Sequence, residues 1–350
     1  MFTIPRFLSF ALFFLYLWAP PSFSKNQTAP SPVGAWAISM DNDLFSPTKN
    51  SDSDFTGGFS FSYGGSANQL FHRTLDKGQG RIDAFALGEG DFREHTKGIE
   101  FGLYGFTPNE IDIFGVLPED RPYASLLYAS SNRSYYSNTN KNSWASSLTI
   151  GVLGLGLFGS AQNGIHKALG SESANGWRNQ VSDGGELTLR YQLAYMDQWS
   201  KKSDSSFPTL RTTYFASLGY LTEFGISLSS MSSVNSSFGS RFNPELISYG
   251  EKVNDTALTN TDQKHSFWGG VSLKARLYNA FLQGQFKQSV HSLQKHQIET
   301  LLLEAWAGYT YRISREYTLS YVLRWQSPEL KAEPGRRKLV WGALIFSRNL

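Results

Sequence analysis

The sequence predicts an all-β chain, a transmembrane antiparallel β-barrel of about twelve strands with a short helix in one outer loop. Three observations carry that reading. Segments of about ten residues alternate in polarity along the chain, as in Phe59–Tyr63 (FSFSY), Leu187–Tyr195 (LTLRYQLAY) and Tyr317–Trp325 (YTLSYVLRW), and period-two alternation marks strands with one apolar face. Aromatic residues are in excess, with 26 Phe, 17 Tyr and 9 Trp beside 32 Gly, as expected where aromatic girdles flank a lipid band. Beyond the first two dozen residues no stretch is long and apolar enough for a spanning helix, and the apolar fraction is an ordinary 40%, which argues against a helical membrane protein. A large soluble β-sandwich would share the first two features.

Taken in order, the chain opens on an export signal. Arg6 supplies the positive region, Phe7–Trp18 an apolar run, and Ser22-Phe23-Ser24 small residues for cleavage after Ser24. The alternative is an uncleaved anchor, but Pro20-Pro21 stop the run short of the roughly 20 residues that a span needs. Residues 25–33 read as a disordered leader, and 34–350 as one barrel domain. The chain has no cysteine, which removes disulfides and thiol nucleophiles and suits an exported protein. A net charge of +3 gives no reason to expect nucleic acid.

The first strand, Gly34–Met40, reaches an outer loop at Ser46–Ser53, and its return begins at Asp54-Phe55-Thr56-Gly57-Gly58. Ala67–Thr96 is long for a periplasmic turn. Strands at Gly98–Phe106 and Tyr123–Ser131 flank a second outer loop that ends in Asp120-Arg121-Pro122. Between Trp144–Gly156 and Glu186–Tyr195 lies the exception to the strand rhythm, a short helix ending at Leu169, with Ser160 as expected N-cap and Gly170 as C-cap. Such a helix covers a mouth or a site, or merely packs. The Ser-rich run Ser227–Ser237 reads as a solvated loop, and His291 and His296 as solvated side chains. Gly154–Gly159 (GLGLFG) lacks the βαβ context of a dinucleotide loop.

Strand counting places Asn42, Asp43, Thr56, Arg121, His166 and Glu172 at the same, outer end of the barrel. Histidine takes a proton near neutral pH, and Asp, Asn and Glu offer hard oxygen ligands of the kind calcium prefers. A bound cation could stabilise an oxyanion while the histidine activates water. The bland readings stand beside this one: Asp-Asn-Asp and Thr-Gly-Gly are ordinary turn chemistry, and a lone histidine on a short helix is more often structural.

The motifs Asn42-Asp43-Leu44-Phe45, Asp54–Gly58, Asp120–Ala124 (DRPYA), Gln162–Glu172 (QNGIHKALGSE), Gly176–Gln180 and Arg324–Glu329, in this order, resemble the outer-membrane lipid A 3′-O-deacylase family over nearly the whole mature chain. The resemblance implies a twelve-stranded barrel in the bacterial outer membrane; a monomer is expected. Its active site would face the outer leaflet, and it would remove the 3′-linked acyl or acyloxyacyl chain of lipopolysaccharide lipid A with calcium as cofactor. It implies His166 as general base, with Asn42, Asp43, Thr56 and Glu172 binding the cation or orienting base and water; of these, Asp43 and Glu172 are the expected metal ligands.

One departure concerns the second outer loop. Pro108–Asp120 carries no basic residue and four acidic ones, Glu110, Asp112, Glu119 and Asp120, where the family places Lys and Arg toward the sugar phosphate. Arg121, Lys167 and Arg178 are the expected substitutes. The chain also ends in Asn349-Leu350 rather than on an aromatic residue. Two other functions fit a barrel of this kind: a non-catalytic pore or surface-interaction protein, and a barrel phospholipase, for which no serine partner of His166 is evident.

Overall fold

The computed structural model describes residues 34–47, 54–66, 73–87, 92–137, 142–199, 209–232, 246, 247, 249 and 264–349. The expected signal and leader lie outside these residues, as does most of the first outer loop.

Twelve strands run in sequence: β1 (Ala35–Asn42), β2 (Asp54–Ser66), β3 (Phe92–Thr107), β4 (Ala124–Ser137), β5 (Asn142–Leu153), β6 (Glu186–Trp199), β7 (Thr209–Gly219), β8 (Leu221–Met231), β9 (His265–Asn279), β10 (Leu301–Arg312), β11 (Tyr317–Gln326) and β12 (Leu339–Asn349). Each pairs antiparallel with its sequence neighbours, and β1 pairs with β12 to close the barrel. Closure leaves no sheet edge, which is what a lipid environment demands of a strand protein.

The pleat is inverted relative to a soluble barrel. On β6, Leu187 and Leu189 face outward at 80% and 52% exposure, whereas Arg190 and Gln192 are buried inside. On β9, Val271 and Leu273 are exposed while Ser272, Lys274 and Arg276 point inward. An apolar exterior around a polar interior is the pattern of a barrel solvated by lipid. Met40, Phe59, Phe61, Phe101 and Phe224 extend the same belt around the wall.

Helix α1 (Arg73–Leu87) lies within the segment read as a long turn, and Gln79 and Asp83 on one of its faces are buried. Gln79 donates to Ser146, and Asp83 accepts from Tyr135, Tyr191 and Ser146. Ser146 and Tyr191 share the pleat face of the exposed Ile150 and Leu189, so α1 packs on the outside of the wall against β4, β5 and β6, at the end near the chain termini. The lumen is filled by other groups. Toward the opposite end, buried ion pairs link Arg190 to Glu223, Glu223 to Arg276, Arg276 to Glu329 and Glu329 to Arg121. Beside them an aromatic cluster brings together Phe55, Tyr104, Phe106, Tyr249, Phe281 and Trp341. Buried charges are tolerable only when paired in this way.

Three local expectations are corrected. Ser227–Met231 is part of β8, with Ser227, Ser229 and Ser230 buried; a serine run satisfies a polar lumen as readily as solvent. Helix α2 spans Leu157–Leu169, so Ser160 lies within it and bonds back to the Gly156 carbonyl, while Gly170 does cap the end at φ 72°. His291 is half-buried and its Nε2 lies 2.9 Å from the Asp120 carbonyl, so it is a loop tether rather than a solvated side chain.

Candidate active site on the outer wall

Odd-numbered strands end, and even-numbered strands begin, at the barrel end opposite the chain termini. Asn42 and Asp43, Thr56, Arg121, and the β5–β6 connection carrying His166, Lys167, Glu172 and Arg178 therefore all sit at that end. The arrangement has two halves.

The first half is built on β1 and β2. The Asn42 side chain accepts from the Leu44 amide at 2.7 Å and donates to the Thr56 carbonyl at 2.8 Å. It thus caps the turn Asp43–Phe45 and ties that turn to the next strand. Asp43 is buried at 6% exposure within this turn. Thr56 is the extra residue of a bulge between Phe55 and Gly57, and its hydroxyl shares a 2.6 Å hydrogen bond with Thr107. Bulges re-aim side chains at strand ends. Gly57 is required by close approach, because a Cβ there would lie 2.9 Å from the Asp41 carbonyl oxygen and 3.0 Å from Asn42 Nδ2.

The second half is α2 and the turn after it. Asn163 clamps Ala174 twice, donating to its carbonyl at 3.0 Å and accepting from its amide at 2.7 Å. Gln162 accepts from Trp177 Nε1 at 2.7 Å. His166 Nδ1 meets the backbone carbonyl of Glu172. A carbonyl only accepts, so this contact assigns the imidazole proton to Nδ1 and makes Nε2 the acceptor atom of the neutral ring. The Gln-Asn-x-x-His spacing is thereby explained: residues at i, i+1 and i+4 line one side of the helix and hold one loop. Glu172 serves here through its backbone, with its side chain exposed.

Pleat parity decides where this layer sits. Glu100, Tyr104 and Phe106 of β3 face the lumen, so Leu103 and Gly105 face outward. Phe158 of α2 lies against Gly105, where a Cβ would come within 2.5 Å of its ring. Phe158 clusters with Leu103, Ile111, Tyr123, Ala174 and Trp177. Ser125, outward on β4, donates to the Leu155 carbonyl and to Gln180. Helix α2 therefore packs on the outside of the wall and does not cover the mouth. The register row Gly342, Asn42, Gly57, Gly105, Ser125 crosses five strands on the same outer face. Phe45 stands over Gly342 and Phe158 over Gly105, and Asn42 and Gly57 lie between them in the same register row.

Of the three expected phosphate contacts, Lys167 and Arg178 are exposed, and Arg178 lies 5.7 Å from the Phe114 ring centroid. Arg121 is turned inward. It is 1% exposed, ion-paired to Glu329 at 3.3 Å and Asp54 at 3.6 Å, and stacked on Phe106 at 4.3 Å. Two lumenal carboxylates and a ring face offset the desolvation of the guanidinium, so the structure gives Arg121 internal partners instead of a surface position.

Hard-cation chemistry fits this donor set in kind, since the buried Asp43 carboxylate, the Thr56 hydroxyl and nearby carbonyls are all oxygen donors. Among the described residues no group of three or more His, Cys, Asp or Glu is gathered into a ready-made metal site.

The family model described as outer membrane protein LpxR matches residues 7–350. The chain belongs to the LpxR family. Among solved structures it is similar to LpxR from Salmonella typhimurium, with a TM-score of 0.65 at 15% identity over 90% of this chain and 100% of that one. An outer membrane channel from Pseudomonas putida F1 aligns with a TM-score of 0.46 at 9% identity, over 95% of this chain and 100% of that one. The translocator domain of the autotransporter NalP from Neisseria meningitidis gives 0.42 at 7% identity, over 91% and 89%. No curated protein matches the chain. Family and fold together make this an outer-membrane β-barrel.

The face of α1 that packs on the wall and the charges of the lumen escaped the sequence reading. Asp76, Gln79 and Asp83 recur at i, i+3 and i+7, a polar stripe on one helical face, and inward Arg190, Arg276 and Arg324 occupy the parity positions of strand interiors. Both signals were available.

Proposed function

We propose that this LpxR-family barrel is a lipid A deacylase that hydrolyses the 3′-linked acyl or acyloxyacyl ester of lipopolysaccharide, working as a monomer on substrate held in the outer leaflet. The observation that carries the reading is His166, its Nδ1 engaged by the Glu172 carbonyl, on a helix packed on the outer wall over Gly105, in the same register row as Asn42 and Gly57. An ester whose chains lie in the leaflet reaches that face of the barrel without crossing the lumen. The lumenal ion pairs and aromatic cluster count against a pore.

In this mechanism His166 Nε2 takes a proton from water as the water oxygen attacks the acyl carbonyl carbon. The tetrahedral adduct collapses with cleavage of the bond to the sugar oxygen, and the proton on Nε2 passes to that oxygen. The products are a free fatty acid and a sugar hydroxyl, and no covalent enzyme intermediate forms. Asn42 and Thr56 fix the β1–β2 rim against which the ester is placed. Calcium, held by Asp43 with the Glu172 side chain, would supply positive charge to the developing oxyanion. Lys167 and Arg178 would meet phosphate at the headgroup level.

The test is mass spectrometry of lipid A after expression in a Gram-negative host, with the barrel confirmed in the outer membrane and calcium present. Loss of the 3′-linked chain, abolished in His166→Ala, is the expected result. Unchanged acylation refutes the deacylase reading, and full activity in His166→Ala refutes the mechanism.

A further inference from the structure

The connection from β8 to β9 leaves the barrel end opposite the site, yet it contributes residues deep inside the lumen. Leu246 packs with Ala145, Ala194, Met196 and Phe215, and its carbonyl accepts from Gln192. Tyr249 lies at the site end, its ring 4.6 Å from Phe106 and 6.1 Å from Phe55. Its hydroxyl donates to Glu329 and accepts from Arg276 Nη1 at 2.5 Å and Asn279 at 3.3 Å. Glu329 also pairs with Arg121, and Arg121 with Asp54. Asp54 is held from the other side by Arg337 at 3.2 and 3.1 Å.

Asp54 is the residue that needs holding. It takes φ 68°, a left-handed conformation uncommon for a non-glycine residue. Two residues later comes Thr56, whose bulge, carbonyl and hydroxyl are tied to Asn42 and Thr107. Phe55 between them is anchored in the aromatic cluster with Tyr249. The lumenal hub thus grips Asp54 by charge and Phe55 by packing.

We propose that Tyr249 and Arg121 are positioning residues that set the Asp54–Thr56 turn of the outer-wall site from inside the lumen. For its activity readout, this inference rests on the deacylase reading above; for the geometry of the turn it does not. Unperturbed packing elsewhere does not substitute for it, because Asp54 has its charge partners only in this hub and at Arg337 among the described residues.

The experiment compares wild type with Tyr249→Phe, Arg121→Gln, Arg121→Lys and, as a control change of a buried carboxylate at the far end of the wall, Asp83→Asn. Each is purified as the full folded barrel, with folding checked by heat-modifiable gel mobility. Lipid A hydrolysis per folded molecule is measured with hydrogen–deuterium exchange of the Phe55–Gly57 amides. Tyr249→Phe, which keeps the ring and loses the hydroxyl, is expected to lower kcat about tenfold, with KM within about twofold and faster exchange at Phe55–Gly57, since small displacements of a positioning group are costly. Arg121→Gln should do the same, Arg121→Lys should recover part of the loss, and Asp83→Asn should leave both readouts at wild type. Unchanged kcat per folded molecule and unchanged exchange in Tyr249→Phe and Arg121→Gln overturn the proposal. So does an equal effect of Asp83→Asn, which would reduce the hub to general stability. A wild type that hydrolyses no lipid A overturns the deacylase reading alone, and the exchange data still decide the positioning claim.

Discussion

Replacing Asn163 by Ala tests how the α2 layer sustains His166. The substitution removes the donor to the Ala174 carbonyl and the acceptor of the Ala174 amide, both part-buried, without touching the imidazole. At about 1 kcal/mol for each hydrogen bond, the turn from Gly170 to Ala174 loses about 2 kcal/mol of closure free energy, and with it the seat of the Glu172 carbonyl that fixes His166 Nδ1. A loss of that size lowers the population of the closed turn by at most about 30-fold, so kcat should fall by up to that factor. His166→Ala, which removes the base itself, should fall by about 100-fold to 10,000-fold. Asn163→Asp keeps an acceptor for the Ala174 amide and loses the donor, and should lie between wild type and Asn163→Ala. The assay is lipid A hydrolysis in detergent micelles under single-turnover conditions, per folded barrel. An Asn163→Ala enzyme within about twofold of wild type would refute the clamp, and one as poor as His166→Ala would show that Asn163 acts on the reaction directly.

Gly105→Ala should lift Phe158 and α2 off the wall, because the new Cβ would sit 2.5 Å from the Phe158 ring; activity is expected to drop several-fold while the barrel folds normally on gel mobility, and full activity would contradict the docking described here. Chelation should abolish hydrolysis and calcium restore it, with Asp43→Asn needing more calcium for the same rate; activity untouched by chelator would remove the metal from the mechanism. Asp120 gives a pH prediction. Burial raises its carboxyl, but the Arg337 hydrogen bond and charge and the amides of Asn109 and Arg121 outweigh it and hold the group below its ordinary value. A depressed carboxylate contributes stability that is present above the unfolded pKa of about 3.9 and is lost as pH falls through the lower folded value. Denaturant midpoints of wild type should therefore fall below about pH 4, and those of Asp120→Asn should start lower and fall less; parallel pH profiles would refute the assignment.

The barrel was legible because its two periodic signals are repeated on every strand: alternation at Leu187–Tyr195 and Tyr317–Trp325 needs only the pleat, and lipid enforces it. Convergence of Asn42, Thr56 and His166 at one end was legible for the same reason, since it follows from strand parity. What parity along one strand could not give was which face of the wall the site occupies. That depends on the Thr56 bulge, which shifts β2 against β3 by one residue, and on Gly105, whose missing side chain seats Phe158. Arg121 was misplaced because a loop cation beside acidic neighbours reads as exposed. Its partner Glu329 lies 208 residues away, and no local pattern encodes such a pairing. Tyr249 was hidden because it sits at the barrel end opposite the one where its connection starts, which no count that assigns turns to barrel ends foresees.

The two polarities of the wall explain why the candidate chemistry is where it is. The interior is crowded with charges whose desolvation is offset only by one another, so an inward histidine would compete with Arg276 or Arg121 for Glu223 and Glu329 and could not be approached by a lipid. The exterior is apolar along the belt, where an unpaired polar group facing acyl chains is costly. Asn42, Thr56 and His166 escape both constraints at the rim. There Asn42 spends both ends of its amide on backbone, Thr56 on Thr107, and His166 one nitrogen on Glu172. Each polar group is thus largely satisfied by the protein before substrate arrives. In the proposed hydrolysis the imidazole Nε2 is the atom that takes the proton, on the face of the wall from which an ester in the leaflet would come.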